Sequence, residues 1–137
     1  MTGCYSKNDK PVSQNIISTS KAPEAVGPYS QAVQVGNRLY LAGQVGLNPE
    51  TGELAGESIE RQTTQALQNI KSILDEAGFT INDLVDVQVF LTDVSQYSTF
   101  NELYAEWVGE NPPARTLVEV SELPIGAKVE IKVIAIK

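Results

Sequence analysis

The sequence contains no histidine, and only one cysteine, one methionine and one tryptophan. Without histidine no Ser-His or Cys-His nucleophile can form, and zinc sites built on imidazole are excluded. The single cysteine, Cys4, leaves no intrachain disulfide. No apolar stretch approaches the roughly 20 residues with which a helix spans a bilayer. Basic residues are scarce too: Lys and Arg number 10 against 17 Asp and Glu, a formal net charge of −7. An acidic chain without a basic run is poorly suited to nucleic acid, whose phosphates are held by cations. It also offers no polybasic surface to anionic lipid.

What is present is the composition of an ordinary globular domain, 42% hydrophobic and 20% charged over 137 residues. That length suggests one domain with a modest core, which gains by burying further surface in an oligomer. Residues 1–14 are polar, contain Pro11, and read as a loosely ordered leader or tether before a domain at 15–137. Thr2-Gly3-Cys4 matches the tail of a bacterial lipoprotein cleavage site, which would tether the protein to a membrane through Cys4. The other reading is a leader without function on a cytoplasmic protein.

The chain shows no internal repeat. Ile16 to Thr19 reads as a short strand, and Ala22 to Tyr29, with Pro23, Gly27 and Pro28, as a loop. Ser30–Val35 and Arg38–Ala42 flank Gly36-Asn37, a two-residue hairpin turn. Ser58 to Ala77 carries a helical apolar stripe of Ile59, Thr63, Ala66, Ile70, Ile73 and Ala77, widened by Leu67 and Leu74. Ser58 can cap its start and Gly78 its end. Val85, Val87, Val89 and Leu91 alternate as one face of a strand. A second helix over Ser98–Val108 places Phe100, Leu103, Tyr104, Trp107 and Val108 at helical spacing before Asn111-Pro112-Pro113 stops it. Strands at Arg115–Val120 and Lys128–Ile136 close the chain. The order predicts an α+β domain, one mixed sheet with both helices on one face. The other sheet face is then bare, which favours association through the sheet.

Alternation in the last two strands sets Thr116, Val118 and Val120 on one face, with Arg115, Leu117 and Glu119 on the other. Val129, Ile131 and Val133 look like core, with Lys128, Glu130 and Lys132 opposite them. If both apolar sets pack under the helices, Arg115 and Glu130 emerge together on the bare face and make a polar site at an interface. The other reading is a surface or interfacial salt bridge for Arg115 and an exposed strand charge for Glu130, and spacing alone favours it. Tyr29 follows the stiff turn Gly27-Pro28, either presented to a ligand or packed under its loop. Gly43, before Gln44, allows a ligand close to backbone N–H groups or marks a bulge. Asn101 reads as a helix-end residue or a polar site group.

Four segments in order resemble the Rid/YjgF family: Gly27-Pro28-Tyr29-Ser30-Gln31-Ala32, Leu41-Ala42-Gly43-Gln44, Pro113-Ala114-Arg115-Thr116-Leu117-Val118-Glu119-Val120, and Val129-Glu130-Ile131. The resemblance runs from about residue 15 onward. It implies a chorismate-mutase-like fold and a homotrimer whose sheets line a barrel, with sites in the clefts between subunits. It implies a deaminase, without cofactor or metal, that hydrolyses 2-aminoacrylate and related 2-imino acids to 2-keto acids and ammonia. Arg115 would bind the substrate carboxylate through its planar fork, Glu130 would position or activate water, and Tyr29 would contact substrate or water. Gly43 and Gln44 would donate backbone hydrogen bonds, and Asn101 matches a polar site position.

The chain departs from that pattern at two site positions. Many relatives carry cysteine two residues after the arginine, where Leu117 stands, and serine before the site glycine, where Ala42 stands. Both changes make the pocket more apolar, and point to imines with bulkier side chains. Two other functions compete with the deaminase: a trimeric module that holds small carboxylates without turning them over, and an RNA-directed ribonuclease or translation inhibitor. Retention of both Arg115 and Glu130 favours the enzyme over the first. The acidic balance argues against the second.

Overall fold

The computed structural model of the chain describes residues 13–137, so the Cys4 reading lies outside the described residues. Its elements are β1 (Gln14–Ile17), β2 (Ala32–Val35), β3 (Arg38–Leu41), β4 (Gln44–Val45), α1 (Ile59–Ala77), β5 (Leu84–Leu91), α2 (Tyr97–Val108), β6 (Ala114–Glu119) and β7 (Val129–Ile136). β1 begins at Gln14, so the strand draws in the end of the segment read as leader. The strands form one mixed sheet in the order β1-β2-β3-β7-β5-β6, with β4 also pairing with β7. Only β5 and β6 run parallel, joined through α2. β4 was not expected, because two residues carry no periodicity to read.

The local signals act as their chemistry dictates. At the β2–β3 turn Gly36 takes φ 60°, which glycine tolerates at no steric cost. The Ser58 side chain accepts a hydrogen bond from the Arg61 backbone N–H, and Gly78 ends α1 in the left-handed region at φ 76°. Ile70, Ile73 and Leu74 of α1 and Phe100 of α2 are fully buried in one core with Leu39, Val87, Val89, Ile131 and Val133 of the sheet. Each such side chain contributes about 1.5–3 kcal/mol by leaving water.

Two expectations about faces fail. Val85 does not join the core; it is 41% exposed, and Leu84 is buried in its place. A shift in the β5–β7 register between Leu84 and Asp86 is responsible, since one extra residue in a strand reverses the alternation beyond it. The second failure concerns β6. Leu117, not Val118, packs against the core, and Val118 is 42% exposed. Parallel pairing sets Arg115 beside Val87 and Leu117 beside Val89, both buried under the helices. Antiparallel pairing sets Glu130 beside Phe90, which pairs with Val118 across β5. Arg115 and Glu130 therefore lie on opposite faces of the sheet. The larger Leu117 takes the core, and Thr116 and Val118 turn outward.

Candidate functional site between the sheet edge and its open face

Arg115 sits on β6, at the sheet edge, with its side chain turned toward α2. Its Nη1 donates to Asn101 Oδ1 at 2.8 Å and its Nη2 to Tyr97 Oη at 3.3 Å. The guanidinium carbon lies 4.8 Å from the Tyr104 ring centroid and 5.7 Å from those of Tyr97 and Phe100, within the range of cation–π attraction. Phe100 and Tyr104 are buried and stacked, with centroids 5.6 Å apart. Helical spacing explains the cage: residues 97, 100, 101 and 104 fall three and four apart on one face of α2. Among the described residues two of the five guanidinium N–H groups are thus engaged, and three are left for a ligand. No acidic side chain among the described residues forms a salt bridge with Arg115, so the ion-pair reading of this residue finds no partner among them.

Glu130 lies on the open face of β7, half-buried. Burial raises its pKa above the usual carboxylate value, and nearby Lys132 opposes the rise. Lys132 itself is tied down, its Nζ donating to the Leu41 carbonyl at 2.8 Å. Gly43 packs directly on this carboxylate, and a side chain there would collide with it. The glycine is thus a close-approach position, and β4 beyond it pairs Val45 with Glu130. Leu41, Ala42 and Gly43 therefore form a backbone wall beside a poised carboxyl group.

The remaining candidates divide between these two half-sites. Asn101 belongs with Arg115 as its hydrogen-bond partner. Leu117 shares the face of Arg115 and packs against the core. Ala42 donates its N–H to the Gln31 carbonyl at 2.8 Å. The Gln44 side chain is buried and donates to the Ala42 carbonyl at 3.4 Å, and its backbone lies in the β4–β7 pairing opposite Ile131. Tyr29 is 53% exposed, with its ring against Gly27, rather than packed under its loop. Its loop is pinned by buried Gln31, which accepts from Thr19 N at 2.7 Å and donates to the Pro23 carbonyl at 2.8 Å. Among the described residues no hydrogen bond joins Tyr29 or Glu130 to Arg115. Tyr97 and Tyr104 were not singled out as site residues in the sequence. Tyr97 fell just before the expected helix start at Ser98, and Tyr104 read as core.

The model of the family described as Endoribonuclease L-PSP matches residues 19–137. The chain belongs to this family. It is 47% identical over 126 residues to a RutC family protein of Pyrococcus abyssi, covering 92% of this chain and 99% of the relative. It is 44% identical over 124 residues to the 2-iminobutanoate/2-iminopropanoate deaminase of Mus musculus, covering 90% and 92%. The crystal structure of RidA from Psychrobacter sp. PAMC 21119 superposes with a TM-score of 0.87 at 46% identity, covering 90% of this chain and 99% of that one. The Rid/YjgF resemblance and the single mixed sheet with two helices are thereby both established. No helix of the described residues is long and apolar enough to cross a membrane.

Proposed function

We propose that the protein is an imine deaminase that hydrolyses 2-aminoacrylate and related 2-imino acids to 2-keto acids and ammonia. The observation that carries this reading is Arg115: a caged cation without an acidic partner among the described residues, in a protein 44% identical to a deaminase of such substrates. The free N–H groups of Arg115 take the substrate carboxylate bidentately. 2-Aminoacrylate reacts as its imine tautomer. Water adds across the C=N bond, Glu130 takes the water's proton and hands it to the imine nitrogen, and the resulting carbinolamine passes its hydroxyl proton to the same nitrogen. The C–N bond then breaks as the C=O bond forms, releasing ammonia. The raised pKa of Glu130 makes it a better base than an ordinary carboxylate. Imines already hydrolyse in water, so holding the water against an oriented substrate supplies much of the rate.

A single copy holds Arg115 and Glu130 on opposite faces, so one substrate reaches both only if two copies contribute. The open sheet face, with Tyr40, Val118 and partly buried Phe90 and Ile134 upon it, supports a homotrimer with sites between subunits. Leu117 beside Arg115 and Ala42 beside Gly43 bias the pocket toward imines with bulkier apolar side chains. The test generates imines in situ with an amino-acid oxidase and traps the survivors with semicarbazide. Wild type suppresses trapping, most strongly for the leucine-derived imine, while Arg115→Ala loses at least 10²-fold in kcat/KM, the scale of a lost buried charge contact. A folded wild-type oligomer inactive on small and bulky imines alike would overturn the enzyme and leave a carboxylate-binding module.

A further inference from the structure

Arg115 makes one contact that the anchoring of a carboxylate does not require. Its Nη2 donates to the Tyr97 hydroxyl at 3.3 Å. A hydroxyl whose oxygen accepts from a cation turns its own proton away from that cation. The Tyr97 proton then points to where an anion bound on the guanidinium would lie. Among the described residues nothing accepts that proton, and Tyr97 is 43% exposed, whereas Phe100 and Tyr104 behind it are buried. Tyr97 is therefore the accessible wall of the cage.

We propose that the Tyr97 hydroxyl is a second substrate-binding group, donating to the carboxylate that Arg115 binds while its own oxygen accepts from Arg115. This rests on the reading of Arg115 as the carboxylate anchor. Asn101, first, and Arg115 hold the phenol below the usual tyrosine pKa, which strengthens it as a donor. The arrangement ties three groups into one unit. Asn101 fixes one end of the fork, Tyr97 the other, and the carboxylate closes the ring of hydrogen bonds. A hydrogen bond from Tyr97 also discriminates: an ester or amide in place of the carboxylate forfeits most of its strength, because bonds to a charged acceptor are the strong ones.

The test uses the intact oligomer and two stable probes, 2-oxobutanoate and its methyl ester. Tyr97→Phe keeps the ring against Arg115 and removes only an exposed hydroxyl. It is expected to weaken 2-oxobutanoate by about 10-fold, the effect of one hydrogen bond to a charged group, and to leave the ester unchanged. In imine turnover KM rises by a similar factor while kcat stays within about twofold, as for a contact equal in ground and transition states. Equal loss for ester and carboxylate, or no loss for either, overturns the proposal. Arg115→Ala, run in parallel, separates the two readings. If it is crippled while Tyr97→Phe binds like wild type, only the role of Tyr97 falls. If Arg115→Ala binds like wild type, the anchor falls and Tyr97 with it.

Discussion

Glu130 sits under opposing demands. Burial raises its pKa above the ordinary 4.5. A carboxyl group with a raised folded value holds its proton more tightly in the folded chain. Its contribution to stability is full below the unfolded value and is lost as pH rises through the folded one. Ionising this group is thus a cost to the fold, and it is the ionised form that the proposed deaminase chemistry uses. Glu130→Gln is expected to melt at the same Tm as wild type or higher at pH 7, with the difference closing near pH 4. Imine hydrolysis should fall by about 10²-fold. Thermal melts at the two pH values beside turnover test this, and a variant less stable at pH 7 would refute it. At this scale the sequence was legible at Gly43, read as a close-approach position and packed on the Glu130 carboxylate, but not in the relation of Arg115 to Glu130, read as sharing a face and lying on opposite ones. It was silent on Tyr97, because a tyrosine at a helix start has no chemistry of its own until Arg115, 18 residues away in sequence, is folded against it.

Two glycines, three residues apart, separate an element that positions from an element that packs. A Cβ at Gly46 would strike the backbone of Gln62 in α1, which cannot yield without moving the helix. A Cβ at Gly43 would strike only the end of the Glu130 side chain, which can turn aside. Gly46→Ala should therefore cost about 2 kcal/mol of stability in urea unfolding, whereas Gly43→Ala should keep its stability and lose turnover. The reverse pattern would show that Gly43, not Gly46, locks the sheet to the helix. Element boundaries were legible where capping chemistry is local, as at Ser58 and Gly78 of α1. Faces were not legible where a neighbour sets them. The bulge before Asp86 removes Val85 from the core, and Leu117, not Val118, packs against the core because parallel pairing sets it beside buried Val89. Buried amides were missed as well. Asn69 bonds the Val45 and Leu47 carbonyls, and Gln62 bonds Gly56 and Lys128. Such pairings join residues far apart in sequence, which a local pattern cannot announce.

For the molecule as a whole, the separation of Arg115 from Glu130 makes a prediction that single variants cannot. Arg115→Ala and Glu130→Gln oligomers are each expected to be inactive. Co-refolded in equal amounts, they should recover about one quarter of wild-type activity if the proposed trimer with shared clefts forms, since random mixing gives that share of clefts both intact groups. No recovery in a confirmed mixed trimer would place both groups in one copy and end the shared-site reading. The bare sheet face behind this assembly was legible from a single layer of helices, but the number of copies was implied only by resemblance. β7 has a further consequence, which concerns synthesis. It is the last of the described strands in the chain, yet it lies at the centre of the sheet, between β3 and β5. Until it emerges from the ribosome, the β1–β3 meander and the β5–β6 pair share no backbone ladder, and each presents an open edge to the other. The nascent chain thus carries its two halves as unfinished edges, and one late insertion closes both at once.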